Sequence, residues 1–319
     1  MKWKVFITRE IPAAGIELLK TAGMQVEVYP HNQPIPESIL LEKIKDCDAL
    51  LCLLTDSVSA PVIATAKHLK IIANYAVGYN NIDLPAAAEH GIVVTNTPDV
   101  LTEATADLAF ALILACARRI VEGDQLVRQG NFTGWSPLMM LGADVFAQTI
   151  GIIGAGRIGS AVARRAQGFG MNILYSDIAT NQLIEKEYRA HKRELEDLLR
   201  NSDFVSLHVP LTTSTRHQID EKRFQQMKST AYLINTSRGA VIDEQELVRA
   251  LTNKIIAGAG LDVYEREPGL AEGLANLKNV VMLPHLGSAT FHTREKMAKL
   301  AATNIIELAQ GRPAPNAVN

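Results

Sequence analysis

Residues 150–159 read Ile150-Gly151-Ile152-Ile153-Gly154-Ala155-Gly156-Arg157-Ile158-Gly159. An apolar, β-branched run meets glycines spaced as GxGxxG, and an amphipathic stretch from Ser160 to Gly168 follows. The glycines have separate physical roles. Gly154 permits a tight turn, Gly156 lets a pyrophosphate approach the backbone, and Gly159 lets the helix pack close to the strand. The start of that helix offers free N–H groups and partial positive charge to phosphates. GxGxxG alone is a weak signal; between a strand and a helix it is a strong one. The next strand, 172–176, ends in Asp177, 18 residues after Gly159. A carboxylate about 20 residues on is expected to accept from the ribose hydroxyls of NAD. It would repel a 2′-phosphate, and Ile178-Ala179-Thr180 bring no arginine to hold one. The expected cofactor is therefore NAD, with NADH preferred over NADPH.

Working outward, short apolar runs alternate with helical patterns almost from end to end, the rhythm of βαβ units and parallel sheets. In the first third, strands are expected at Val5–Thr8, Val26–Tyr29, Ala49–Leu54, Ile71–Ala76 and Ile92–Asn96. From Thr149, six more are expected: Thr149–Ile153, Asn172–Ser176, Phe204–His208, Ala231–Asn235, Ile256–Leu261 and Val280–Leu283. The fold class is α/β, with two doubly wound parallel-sheet domains, one of them a Rossmann dinucleotide-binding domain. Between the two sets, one long helix is expected from Glu103 to about Arg128. Its centre, 104–117, is apolar nearly all round, so protein should bury it on more than one side. A last helix is expected at about Thr293–Gln310.

Composition narrows the function classes. The chain has 319 residues, which suggests about two domains. Its net charge is −2, and it carries no Lys/Arg run of the kind nucleic-acid binders use. No apolar run reaches the ~18 residues of a membrane span. The start, Met1-Lys2-Trp3-Lys4, turns polar at once, which speaks against a secretory leader. The three cysteines, Cys47, Cys52 and Cys116, form no CxxC or Cys/His cluster. Reduced, buried thiols in a cytoplasmic protein, with no metal site, are the simplest expectation.

In open α/β sheets, ligands bind beyond the carboxyl ends of the strands. Three of those ends carry ionisable groups. Residues 231–235 run into Thr236-Ser237-Arg238-Gly239, 256–261 into Asp262-Val263-Tyr264-Glu265-Arg266-Glu267-Pro268, and 280–283 into Pro284-His285-Leu286-Gly287. Taken singly, Arg238 could be a surface residue, either Glu265 or Glu267 a solvated loop acid, and His285 a core histidine. Together they place a guanidinium, a carboxylate and an imidazole on the rim of the glycine turn. An imidazolium can give a proton to a carbonyl oxygen. A carboxylate beside it favours the protonated ring. A guanidinium can grip a substrate carboxylate with two parallel hydrogen bonds. That set suits reduction of a 2-oxo acid.

These motifs, with the 284–290 run Pro-His-Leu-Gly-Ser-Ala-Thr, resemble the D-isomer-specific 2-hydroxyacid dehydrogenases over essentially the whole chain. The resemblance maps the family's catalytic Arg, Glu and His onto Arg238, Glu267 and His285. It selects Glu267, the acid directly before Pro268, over Glu265. Leu53-Leu54-Thr55-Asp56, the 73–83 run Ala-Asn-Tyr-Ala-Val-Gly-Tyr-Asn-Asn-Ile-Asp, and the Gly134-Trp135 loop make it most similar to the glyoxylate/hydroxypyruvate reductases within the family. The resemblance implies cofactor contacts by Thr102, Gly154, Gly156, Arg157, Ile158, Gly159, Asp177, Thr236, Arg238, Asp262, His285 and Gly287. It implies substrate contacts by Leu54, the backbone of Val77 and Gly78, Arg238 and His285. Several reductases of this group carry an Arg after the second strand and prefer NADPH; Asp177-Ile178 departs from that pattern.

The resemblance also implies a discontinuous substrate domain, flavodoxin-like, of residues 1–98 plus 289–319, around an NAD-binding domain of residues 99–288. It implies a homodimer with the Glu103–Ala117 helix and the following loop at the interface. The competing expectations are another enzyme of the family, acting on D-lactate, phosphoglycerate or phosphite, and an NAD-sensing protein like the C-terminal-binding corepressors. Formate dehydrogenases fit less well, since they lack an acid at the position of Glu267.

Overall fold

The computed structural model describes residues 2–319. The chain divides into two units: one runs up to Leu101 and includes Ala289–Asn319, and the other is Thr102–Ser288.

The first unit holds five strands: β1 (Lys4–Ile7), β2 (Gln25–Val28), β3 (Ala49–Leu53), β4 (Ile71–Tyr75) and β5 (Val93–Thr95). They pair in parallel in the order β2-β1-β3-β4-β5. This is the flavodoxin-like order, whose switch point lies between β1 and β3. Residues of β3 and β4 are buried almost throughout, as central strands covered on both faces require. β2, at the edge, alternates exposed and half-buried positions. The C-terminal helix Phe291–Ala309 belongs here because Met297, Ala298, Ala301, Ala302 and Ile305 form one buried stripe. It crosses the helix Ala13–Thr21 so closely that a Cβ on Gly15 would lie 2.7 Å from the Ala298 carbonyl oxygen. Beyond it, the Val318 N–H donates to the Val94 carbonyl at 2.9 Å.

The second unit holds seven parallel strands: β6 (Thr149–Ile153), β7 (Asn172–Ser176), β8 (His191–Lys192), β9 (Phe204–Leu207), β10 (Tyr232–Asn235), β11 (Gly258–Leu261) and β12 (Val280–Met282). Their order is β12-β11-β10-β9-β6-β7-β8. Counted from the unit's own first strand this is the Rossmann order, extended by one strand beyond the six expected. The strand not expected from the sequence is β8, a two-residue edge with no apolar run to announce it. One core covers each face of this sheet, the first built around the helices Thr102–Ala117 and Arg157–Gly168, the second around Glu244–Thr252.

The long helix expected to reach Arg128 is two helices, Thr102–Ala117 and Ile120–Arg128. The break has a physical cause. The Ala117 carbonyl accepts from the Ala143 N–H at 2.8 Å, and Arg119 takes a left-handed conformation, φ 53°. The first helix buries Ala106, Ala109, Phe110, Leu112, Ile113 and Cys116 within its own unit. Ala104, Leu108, Ala111 and Ala115 form a second apolar stripe that remains partly exposed. All three cysteines are free and buried. Burial pushes the thiols of Cys47 and Cys116 up to about 12, which leaves them unreactive. Among the described residues, no helix is long and apolar enough to cross a membrane, and no His/Cys/Asp/Glu group could hold a metal ion.

Candidate active site

The glycine turn sits between β6 and the helix Arg157–Gly168. Gly154 has φ 92°, and a Cβ there would lie 2.7 Å from the His208 carbonyl carbon. Gly159 is tighter: its Cβ would lie 2.1 Å from the Gly154 carbonyl oxygen. Gly156 is exposed and meets nothing within 4 Å. The turn is therefore compact behind Gly154 and Gly159 and open at Gly156, as an approaching pyrophosphate requires. No acid lies in the first turn of the helix to oppose an anion, and Arg157 and Ile158 begin it. Asp177, one residue beyond β7, accepts from the Ala155 N–H at 2.7 Å through Oδ2 and from the Ala179 N–H at 3.2 Å through Oδ1. It is thereby fixed against the glycine turn.

Along the same rim, the buried Thr236 hydroxyl and His208 Nδ1 have no protein partner among the described residues. His208 Nε2 pairs with the Ser206 hydroxyl at 2.8 Å, and burial pushes its imidazole down to about 3, so the ring is neutral. An open glycine turn, a carboxylate beside it and orphaned polar atoms along the strand ends fit a dinucleotide. Gly154, Gly156, Arg157, Ile158, Asp177 and Thr236 would hold it, and Thr102 opens the helix Thr102–Ala117 of the same unit.

Three neighbouring strand ends carry the ionisable groups. Beyond β10, buried Asn235 shapes the turn. Its Oδ1 accepts from the Ser237 N–H at 3.0 Å and the Ser237 hydroxyl at 2.9 Å, while its Nδ2 donates to the Arg238 carbonyl at 2.9 Å. Arg238 is half-buried, and burial pushes its guanidinium below the ordinary value against the opposing pull of Glu267. Gly239 brings this turn onto the next loop, with a Cβ there only 1.8 Å from the Tyr264 carbonyl carbon.

Beyond β11, Asp262 is fully buried. Its Oδ1 accepts from the Leu286 N–H at 2.6 Å and its Oδ2 from the Gly287 N–H at 2.8 Å. Its own carbonyl accepts from the His285 N–H at 3.0 Å. Burial pushes this carboxyl up, although those N–H bonds and the nearby imidazole work against it. Asp262 thus fixes the turn beyond β12 in which His285 adopts φ 56°. Gly287 is buried, and its carbonyl accepts from the Thr105 hydroxyl at 3.1 Å.

His285 Nδ1 lies 2.9 Å from Glu267 Oε2. Glu267 Oε1 accepts from the Tyr264 N–H at 3.1 Å. Burial alone would raise the Glu267 carboxyl, but the hydrogen bond and charge of His285, the Tyr264 N–H and Arg238 outweigh it and hold the carboxyl below its ordinary value. Glu265 points to different partners: its Oε1 accepts from His217 Nε2 at 2.9 Å and Arg216 Nη2 at 3.0 Å. The acid on His285 is Glu267.

Leu54, Val77 and Gly78 lie in the first unit, beyond β3 and β4, all half-buried. Around them is a set of buried and half-buried polar groups to which the sequence reading assigned no role. Asn74, Asn81, Asn96 and Asp56 bond to the backbone of these turns.

A Rossmann sheet whose rim carries a paired carboxylate and imidazole, with a guanidinium beyond the adjoining strand, defines a nicotinamide-dependent oxidoreductase. Residues 110–287 match the D-isomer specific 2-hydroxyacid dehydrogenase, NAD binding domain. A glyoxylate reductase of Thermococcus kodakarensis is 53% identical, across 100% of this chain and 97% of that one. A crystal structure of a Thermus thermophilus protein superposes with TM-score 0.93 at 43% identity, covering 99% of this chain and 100% of that one. An NADPH-dependent glyoxylate/hydroxypyruvate reductase of Sinorhizobium meliloti, solved with NADP and malonate, gives TM-score 0.89 at 32% identity, covering 100% and 97%. The chain belongs to the D-isomer-specific 2-hydroxyacid dehydrogenase family. It is an oxidoreductase that binds a nicotinamide dinucleotide and reduces a 2-oxo acid.

Proposed function

We propose that the protein reduces glyoxylate or hydroxypyruvate to the 2-hydroxy acid with NADH. The observation that carries this reading is the 2.9 Å His285–Glu267 pair on the rim that also bears Arg238. The bound cofactor supplies a hydride to the carbonyl carbon. His285, protonated, gives the matching proton to the carbonyl oxygen, so one hydride and one proton complete the alcohol. Glu267 stays ionised beside the ring, favours its protonated form and fixes its orientation through Nδ1, leaving Nε2 for the substrate. Arg238 grips the substrate carboxylate and polarises the adjacent carbonyl. In the first unit, the backbone N–H groups at Val77 and Gly78 are the proposed contacts for a substrate carboxylate, and Leu54 is the proposed apolar contact.

NADH is preferred because Asp177 stands where a 2′-phosphate would need a cation, and exposed Ile178 follows it. The Sinorhizobium reductase is NADPH-dependent, so the preference rests on this chain's residues. The partly exposed stripe Ala104, Leu108, Ala111 and Ala115, with exposed Trp135 and Leu138 in the following loop, supports a homodimer through this surface.

The test is a steady-state panel of glyoxylate, hydroxypyruvate and pyruvate with NADH and with NADPH. The expected result is highest kcat/KM for one of the first two with NADH. Highest kcat/KM for pyruvate, or a higher kcat/KM with NADPH than with NADH, would overturn the proposal.

A further inference from the structure

The turn after β4 is held by two side-chain amides and one backbone N–H. The Ala76 carbonyl accepts from the Thr97 N–H at 2.9 Å, the Val77 carbonyl from Asn96 Nδ2 at 2.8 Å, and the Gly78 carbonyl from Asn74 Nδ2 at 2.8 Å. Three consecutive carbonyls are thus drawn to donors within the unit. In a trans peptide the N–H points opposite to the carbonyl. Each hold therefore aims the N–H of the following residue away from that donor: Val77, Gly78 and Tyr79 in turn. Among the described residues, none of these three N–H groups has a protein acceptor. Consecutive unpaired N–H groups make an anion-binding concavity.

Asn74 is fully buried on β4. Besides Gly78, its Nδ2 donates to Asn81 Oδ1 at 3.2 Å, and its Oδ1 accepts from Asn81 Nδ2 at 3.4 Å. Asn81 Nδ2 also donates to the carbonyls of Leu53 and Asp56, both at 3.1 Å. Asp56, itself buried, accepts from the Leu53 N–H at 2.8 Å and from the Thr8 hydroxyl beyond β1. One amide pair therefore couples the Val77–Gly78 turn to the Leu53–Leu54 turn.

We infer that Asn74 and Asn81 are positioning residues for substrate-carboxylate binding: the amide pair sets the aim of the N–H cradle and its distance from Leu54. The inference rests on the reading that this cradle takes the carboxylate. An apolar or shortened side chain at either position frees the Gly78 carbonyl or its support, and the cradle loses its aim while the sheet remains.

The test compares glyoxylate with glyoxylamide, its neutral counterpart, in the wild type, Asn74→Leu and Asn81→Ser, with NADH affinity and Tm measured alongside. The wild type should prefer glyoxylate strongly in kcat/KM. In both variants KM for glyoxylate should rise roughly 10- to 100-fold, the range for losing one hydrogen bond to a charged group. Their kcat at saturation, their NADH affinity and their kcat/KM for glyoxylamide should each stay within about threefold, so the preference collapses. A wild type with no preference for the charged substrate overturns the carboxylate reading itself, and this inference with it. A wild type with the preference and folded variants that keep it overturn the inference, and leave the carboxylate to Arg238. Should Asn74→Leu fail to fold, Asn81→Ser decides by the same readings, since Asn81 is only half-buried.

Discussion

Two glycines of one motif should fail in opposite ways. An alanine at Gly159 puts its Cβ 2.1 Å from the Gly154 carbonyl oxygen and 3.1 Å from Ile152 Cγ2. A backbone carbonyl cannot rotate aside as a side chain can, so the cost belongs at the upper end of the ~1–3 kcal/mol for overpacking. Alanine recovers about 1 kcal/mol of helix propensity, because Gly159 lies inside the helix Arg157–Gly168. The net loss is about 2 kcal/mol. At ~2–4 °C per kcal/mol for a unit of this size, Tm should fall roughly 4–8 °C. Gly156 has φ −72° and no heavy atom within 4 Å of its would-be Cβ, so Gly156→Ala should leave Tm within about 2 °C. That Cβ would instead stand where the pyrophosphate approaches, and the NADH Kd should rise about tenfold or more. Calorimetry and NADH fluorescence titration on the two variants decide the matter. Gly156→Ala with wild-type NADH affinity would remove the pyrophosphate from this turn. Gly159→Ala with wild-type Tm would refute the packing argument.

Asp177→Ser combined with Ile178→Arg removes the repelling carboxylate and adds a guanidinium, so the kcat/KM ratio should move toward NADPH; a wild type that already favours NADPH contradicts the reading of this position. Arg238→Lys keeps a charge but loses the planar fork, so kcat/KM for 2-oxo acids should drop at least about tenfold with NADH affinity nearly intact, and normal efficiency would disprove the assignment. The hydrogen bond and charge of His285, the Tyr264 N–H and Arg238 hold the Glu267 carboxyl below its ordinary value, so it stays ionised well into acid pH. The wild-type rate of 2-oxo acid reduction should therefore hold down to acid pH and fall only as Glu267 becomes protonated, while Glu267→Gln, which keeps the shape and removes the charge, should cut kcat/KM about tenfold or more at neutral pH and lose that acid limb; an unchanged profile would separate Glu267 from His285 function.

The fold class is legible because its determinants are local. Gly154, Gly156 and Gly159 fill backbone roles that no other residue can, and a buried strand such as 49–53 is a continuous apolar run. The break at Arg119 is not legible, because the group that ends the helix at Ala117 is the N–H of Ala143, far along the chain. β8 is missed because two residues on a sheet edge need no pattern. In the site, Arg238, Glu267 and His285 stand out because charge at a strand end is conspicuous. Asn74, Asn81, Asn96 and Asn235 do not stand out. A buried amide reads like any loop asparagine until its backbone partners are known.

Glu265 and Glu267 show the same limit from the other side. Two acids of similar length, two residues apart, look interchangeable in the sequence. Their partners come from opposite directions along the chain: His217 lies 48 residues before Glu265, and His285 lies 18 residues after Glu267. No local periodicity encodes either distance. What separates the two acids is the loop's path. Gly239 lets the Arg238 turn press on the Tyr264 backbone, and the Tyr264 N–H holds Glu267 Oε1 at 3.1 Å. Arg216 and His217 hold Glu265 on the other side, and His217 Nδ1 lies 3.6 Å from Asp243 as well. The loop is pinned at both acids, so neither can take the other's place without moving Tyr264. The groups that would do chemistry are thus few, and each is aimed by a neighbour that does none: Glu267 by Tyr264, Arg238 by Asn235, His285 by Asp262. A substitution at an aiming residue should therefore change the orientation of a charge while leaving its identity intact, and its signature should be an altered pH profile or KM in an enzyme that still binds NADH.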